Sequence, residues 1–148
     1  MKRTLLALIL ATAACTPAAR PAPTDDEVEA RKRVLELAGA FQNDGFKLRD
    51  GNWSGAIKPG EAKIVQVNLY AGNDYWFSVA GTDKTKKLQI TVYDETGAVA
   101  KLEPEPFENQ ENHTFAVLFS PTASGPYFVK VEELEGDPAS FCLIYSYK

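Results

Sequence analysis

The stretch Ala62-Lys63-Ile64-Val65-Gln66-Val67-Asn68-Leu69-Tyr70-Ala71-Gly72-Asn73-Asp74-Tyr75-Trp76-Phe77-Ser78-Val79-Ala80 carries the pattern from which the architecture follows. Val65, Val67 and Leu69 fall at every second position. So do Tyr75, Phe77 and Val79, after the turn residues Ala71-Gly72-Asn73-Asp74. Successive side chains of a strand point to opposite faces, so each set lines one side. Working outward, the alternation recurs in Leu88, Ile90 and Val92, in Phe115, Val117 and Phe119, and in Tyr127, Val129 and Val131. Strands are expected near Trp53–Ile57, Ala62–Leu69, Tyr75–Ala80, Leu88–Tyr93, Thr114–Ser120, Tyr127–Glu132 and Phe141–Tyr147. Turn signals separate them: Lys58-Pro59-Gly60, Gly81-Thr82-Asp83, Asp94-Glu95-Thr96-Gly97, Ser124-Gly125-Pro126 and Gly136-Asp137-Pro138. Short strands at this spacing indicate a mainly β chain, an antiparallel sandwich of about seven to eight strands over residues 51–148.

Upstream the period changes. Thr24 followed three residues later by Glu27 is a capping box, and Asp25, Asp26 and Glu27 suit the positive end of a helix dipole. Val34, Leu37, Ala38 and Phe41 then form an apolar stripe at helical spacing, with Val28 and Leu35 at its margin. Asn43-Asp44-Gly45 ends it, so one N-terminal amphipathic helix is expected within residues 24–45.

The first residues give an address. Lys2 and Arg3 precede the apolar run Leu5–Ala11, and small residues lead to Cys15, the plan of a secretory signal over residues 1–14. The run is shorter than the roughly 20 apolar residues that span a bilayer. Thr12-Ala13-Ala14-Cys15 resembles a bacterial lipobox, with Thr12 where an aliphatic residue is commoner. That resemblance implies lipid on Cys15; ordinary cleavage after Ala13 or Ala14, giving a soluble periplasmic or secreted protein, is the alternative. Thr16 is not the aspartate that resembles an inner-membrane retention signal, which favours the outer membrane. The Pro- and Ala-rich residues 15–23 read as a lipidated tether.

Three further motifs, taken in order, resemble bacterial pre-peptidase C-terminal (PPC) domains. They are the Ala71-Gly72 turn leading to Tyr75-Trp76-Phe77-Ser78-Val79, the stretch Leu88 to Val99, and Phe119-Ser120-Pro121 leading through Ser124-Gly125 to Tyr127-Phe128-Val129-Lys130-Val131. The resemblance covers roughly residues 55–147. It implies a jelly-roll-like β-sandwich and a non-catalytic module that accompanies secreted enzymes. Two acidic residues common after the glycine turn in that family are replaced here by Ala98-Val99-Ala100-Lys101-Leu102.

Signals for chemistry are sparse. The only histidine, His113, precedes an expected strand and reads as an exposed loop residue; no HExxH, CxxC or GxSxG accompanies it. Glu103, Glu105, Glu108 and Glu111 lack the Asp-x-Asp spacing of a calcium loop and read as a solvated turn. No cofactor, metal site or catalytic residue is expected. The whole-chain charge of −4 becomes −6 without Lys2 and Arg3, and no basic patch offsets it, which argues against nucleic acid. If Cys15 carries lipid, Cys142 has no partner; beside Phe141, Leu143 and Ile144 it reads as a buried, inert thiol.

Four apolar residues fall outside the core pattern. Trp76, Leu118 and Phe128 point away from the core faces, and Trp53 lies at the start of the sandwich. Either the helix stripe covers them, the preferred reading for Trp76, or they form a partner or ligand surface. The expected function is a non-catalytic envelope lipoprotein that binds an envelope protein or glycan. The PPC resemblance suggests an alternative, a chaperone-like or inhibitory accessory of a secreted hydrolase. A hydrolase with an unfamiliar site ranks below both.

Overall fold

In a computed structural model, residues 21–102 and 106–148 are described. The signal segment, Cys15 and most of the tether lie outside them, as do Glu103 and Glu105 of the acidic loop.

Among the described residues one helix and nine strands follow in order. Helix α1 spans Asp25–Gln42, and the first three strands are β1 (Lys47–Leu48), β2 (Trp53–Ile57) and β3 (Ala62–Leu69). Then come β4 (Tyr75–Ala80), β5 (Thr85–Tyr93), β6 (Phe107–Asn109), β7 (Thr114–Phe119), β8 (Gly125–Gly136) and β9 (Ala139–Tyr147). A six-stranded antiparallel sheet runs β1-β9-β4-β7-β6, with β2 sharing β9's edge beside β1, and faces a three-stranded sheet β3-β8-β5. From β3 to β6, and again from β7 to β9, each strand crosses to the opposite sheet, a jelly-roll-like winding.

The alternating sets meet between the layers. Phe77, Val79, Val92, Val117, Val129 and Val131 are all but inaccessible, joined by Ile57, Leu143 and Tyr145. Each such side chain contributes about 1.5–3 kcal/mol relative to leaving it in water. Two strands are longer than their apolar pattern. β5 begins at Thr85, and β8 continues through Glu132-Glu133-Leu134-Glu135 to Gly136. The acidic run is part of the ladder: Lys87 faces Glu135 and Leu88 faces Glu133 across a bulge. Oppositely charged facing residues favour the pairing.

The helix begins as its sequence dictates. Thr24 Oγ1 accepts the Glu27 N–H at 3.2 Å, and Glu27 Oε2 accepts the Thr24 N–H at 2.9 Å. At the other end Gly45, at φ +89°, reverses the chain so that Phe46 folds back onto the sheet. The buried stripe is Ala30, Val34, Ala38 and Phe41; Leu37 is half-buried, whereas Val28 and Leu35 face solvent. Alanine at two of these positions lets the helix approach Ala80, Cys142 and Ile144 on the outer face of the six-stranded sheet. The loop after β4 fastens it further. Lys84 Nζ lies 2.6 Å from Asp26, and Arg33 Nη2 lies 2.5 Å from Asp83.

Candidate functional site

The helix decides the fate of two of the four candidate surface residues. Trp76 stacks on Phe41 with centroids 4.3 Å apart and planes 3° from parallel, and Phe46 meets its edge at 6.5 Å. Leu118, opposite Trp76 in the β4–β7 pairing, packs in the same cluster with Leu37. Trp76 and Leu118 are brought together, but under a cover rather than in solvent. Phe128 lies on the far layer, on the outer face of β8 between Gln66 of β3 and Tyr93 of β5. Trp53 is separate from all three.

Trp53 belongs to an open cleft at one side of the sandwich, where β2 and β9 of one sheet meet β3 of the other. The cleft measures about 340 Å³ and is lined by Arg49, Trp53, Gln66, Asn68, Tyr70 and Tyr145. Backbone pairing builds it. Trp53 faces Leu143 in the β2–β9 ladder, which places its ring on the inner face two positions from Tyr145. The two rings lie 6.1 Å apart at 17°, nearly parallel. Tyr145 is anchored beneath by Phe77 at 5.3 Å and Tyr75 at 5.9 Å. The Tyr75 hydroxyl accepts the Tyr70 N–H at 2.9 Å, fixing the chain where β3 ends. Tyr70 itself is 66% exposed.

Arg49 is placed by its backbone N–H, which donates to the Tyr145 carbonyl at 3.1 Å. Its guanidinium stands 5.8 Å from the Trp53 ring centre and 5.3 Å from that of Tyr145, within cation–π range. Burial pushes the Tyr145 phenol's pKa up, and the Arg49 charge partly offsets this. Two aromatic faces, a cation and the amides of Gln66 and Asn68 thus converge on one opening. Such a set can stack on a planar or apolar face while orienting carboxylate, carbonyl or hydroxyl groups. Of these residues only Trp53 stands out in the sequence. Tyr145 could have been found by extending the alternation Phe141, Leu143; Arg49 follows a strand too short to leave a pattern.

His113 is not an exposed loop residue. It adopts φ +52°, its carbonyl accepts the Gly81 N–H at 2.9 Å, and its Nδ1 lies 2.5 Å from the Thr85 carbonyl oxygen. Nδ1 therefore carries the proton, and Nε2 faces Asp83 at 3.4 Å. The side chain fastens the β4–β5 loop. Glu108 and Glu111 are exposed, and among the described residues no three His, Cys, Asp or Glu side chains are grouped to hold a metal ion. Asp94 behaves as a turn residue: it accepts the Thr96 hydroxyl at 2.6 Å and the N–H groups of Ala98 and Thr96 at 3.0 and 2.8 Å, which holds its pKa down. Burial raises the Cys142 thiol to about 11, so it stays protonated beneath the helix.

No family model matches the chain. Over 113 residues, 71% of its length, it is 30% identical to Golgi to ER traffic protein 4 of Aspergillus fumigatus, and it spans 32% of that protein. The fold is similar to the crystal structure of Aeromonas hydrophila PliG, a periplasmic lysozyme inhibitor of g-type lysozyme. That likeness has a TM-score of 0.47 at 15% identity and covers 66% of this chain and 85% of the other. Among the described residues no helix is long and apolar enough to cross a membrane.

Proposed function

We propose that the chain is a non-catalytic binding module of the bacterial cell envelope. In this reading a PPC-like sandwich is held at the outer membrane by lipid on Cys15, and the Arg49–Trp53–Tyr145 cleft contacts an envelope protein or glycan. The cleft is the observation that carries the proposal. Trp, Tyr and Arg are the residue types that dominate binding hot spots, because they offer large rigid area and directed hydrogen bonds at modest entropy cost. Here they converge in a concavity whose lower ring is locked by the core, so little ordering remains for a ligand to impose. A tether of Pro and Ala suits a domain that must reach a partner from an anchored end.

The test is retention of the purified protein on envelope fractions, in a Cys15→Ser background that removes attachment by lipid. Arg49→Gln and Tyr70→Ala alter the cleft without touching the core. Retention should fall at least several-fold in the double variant. Prior protease digestion of the envelope identifies a protein partner and glycan digestion a glycan. Unchanged retention of the double variant overturns the proposal. Separately, palmitate labelling of the native protein should disappear in Cys15→Ser; persistence would remove the anchor from the account.

A further inference from the structure

The three-stranded sheet treats its two edges differently. The end of β5 is covered: after the turn at Asp94–Gly97 the chain returns beside it, with the Ala100 N–H donating to the Val92 carbonyl at 2.8 Å and a bridge between Tyr93 and Val99. β3 pairs with β8 in unbroken register from Ala62 to Leu69. Among the described residues its other edge makes no backbone hydrogen bond. Exposed edges are ordinarily guarded by charge, proline, a bulge or a covering segment. The strand AKIVQVNL has a single charge, Lys63, and neither proline nor glycine. Its side chains report the opening too. Val65 points to the core yet is only half-buried, and Ile64 on the outer face is 62% exposed. A row of unpaired N–H and C=O groups at strand spacing is complementary to another strand.

We infer that this edge is a self-association site, at which two copies pair β3 against β3 in antiparallel fashion about a two-fold axis. The two three-stranded sheets then become one continuous sheet. Facing residues of an antiparallel pair point to the same side, so core-facing positions must meet core-facing positions. An axis through Val65 satisfies this and overlaps nearly the whole strand. It sets Val65 against Val65 of the second copy, Ile64 against Gln66, Lys63 against Val67, and Glu61 against Leu69. Glu61 of the second copy thereby arrives beside the Gln66–Tyr70 wall of the cleft, near Arg49. Among the described residues Arg49 has two ring contacts and the Asp50 carbonyl as partners but no ion pair with a carboxylate. Glu61 itself is held within its own turn, by Lys63 at 2.7 Å and by Lys58. The contact buries the exposed Ile64, completes the half-burial of Val65 and supplies the missing counter-charge. The pairing rests on the strand edge and not on the cleft's ligand, with which Glu61 of the second copy shares Arg49.

The register makes the inference testable in the exported protein. Facing Cα atoms across an antiparallel pair lie about 4.5–5.5 Å apart, inside the span a disulfide bridges. Val65→Cys should therefore give a covalent dimer on non-reducing electrophoresis, while Ala62→Cys and Asn68→Cys, which face different residues, should give little. Sedimentation with surface variants provides a second readout. I64K/Q66K sets like charges opposite each other on both sides of the axis and should abolish the dimer; I64K/Q66E sets opposite charges there and should retain it. Equal crosslinking at all three cysteine positions overturns the inference. So does native protein that sediments as a monomer at all concentrations, or an I64K/Q66K variant indistinguishable from I64K/Q66E.

Discussion

Glu133 continues the inward series of β8 after Tyr127, Val129 and Val131, and so a carboxyl stands where the pattern asks for an apolar side chain. It is fully buried, and among the described residues neither oxygen has a hydrogen-bond partner. Burial, with a smaller contribution from the Asp137 charge, raises its pKa from 4.5 to about 7. The folded chain thus holds a proton that the unfolded chain has already released. Stability is fully present below pH 4.5, declines as pH rises towards 7, and has lost roughly 3 kcal/mol from this group above that. Urea midpoints should show Glu133→Gln progressively more stable than the native protein between pH 5 and pH 8; a pH-independent difference would contradict the buried acid. Gly136 is bound to the same spot. At φ +141°, a Cβ there would sit 2.4 Å from Glu133 Oε1 and 2.6 Å from the Lys84 carbonyl oxygen, so Gly136→Ala should cost about 3 kcal/mol. Thermal melting of that variant is the check. Neither effect was legible in the sequence, where Glu132-Glu133-Leu134-Glu135 resembles a solvated strand end.

At the scale of elements, α1 could be recognised from local rules alone: a capping box, an apolar stripe and a glycine stop. Its docking partner could not, because Trp76 comes from a strand and only the ladders show which face it presents. The Phe41–Trp76 stack turns that docking into a measurement. Phe41→Ala should destabilise the protein by about 3 kcal/mol and shift Trp76 emission to the red, as the ring gains water. Unchanged emission would mean that the helix does not seat on this face. The strands were legible where alternation ran for five residues or more. β1, of two residues, and β6, of three, are too short to show a period. His113 was misjudged for a related reason: its positive φ and its contact with Thr85 are set by the loop that meets it, not by its neighbours in sequence.

For the whole molecule, the two-layer sandwich follows from summing those alternations, since five apolar faces can only be buried against one another. The cleft does not follow, because Arg49, Trp53, Tyr70 and Tyr145 come from four separate segments that meet only once β9 lies between β2 and β4. The layers also give the molecule distinct sides. One sheet's outer face is closed by the helix, the end of β5 in the other sheet is covered by residues 97–100, and the side formed by β3 and the cleft is left open. The proposed function places the partner on this open side. It is tested most directly by placing a photocrosslinking residue in living cells at Tyr70 beside the cleft, at Val99 on the covered edge, and at Leu35 on the outer surface of the helix; all three are exposed. A discrete crosslinked product is expected from position 70, lost on Arg49→Gln, and none from the other two. Equal products from all three positions, or a discrete product from position 35 or 99 alone, would contradict it.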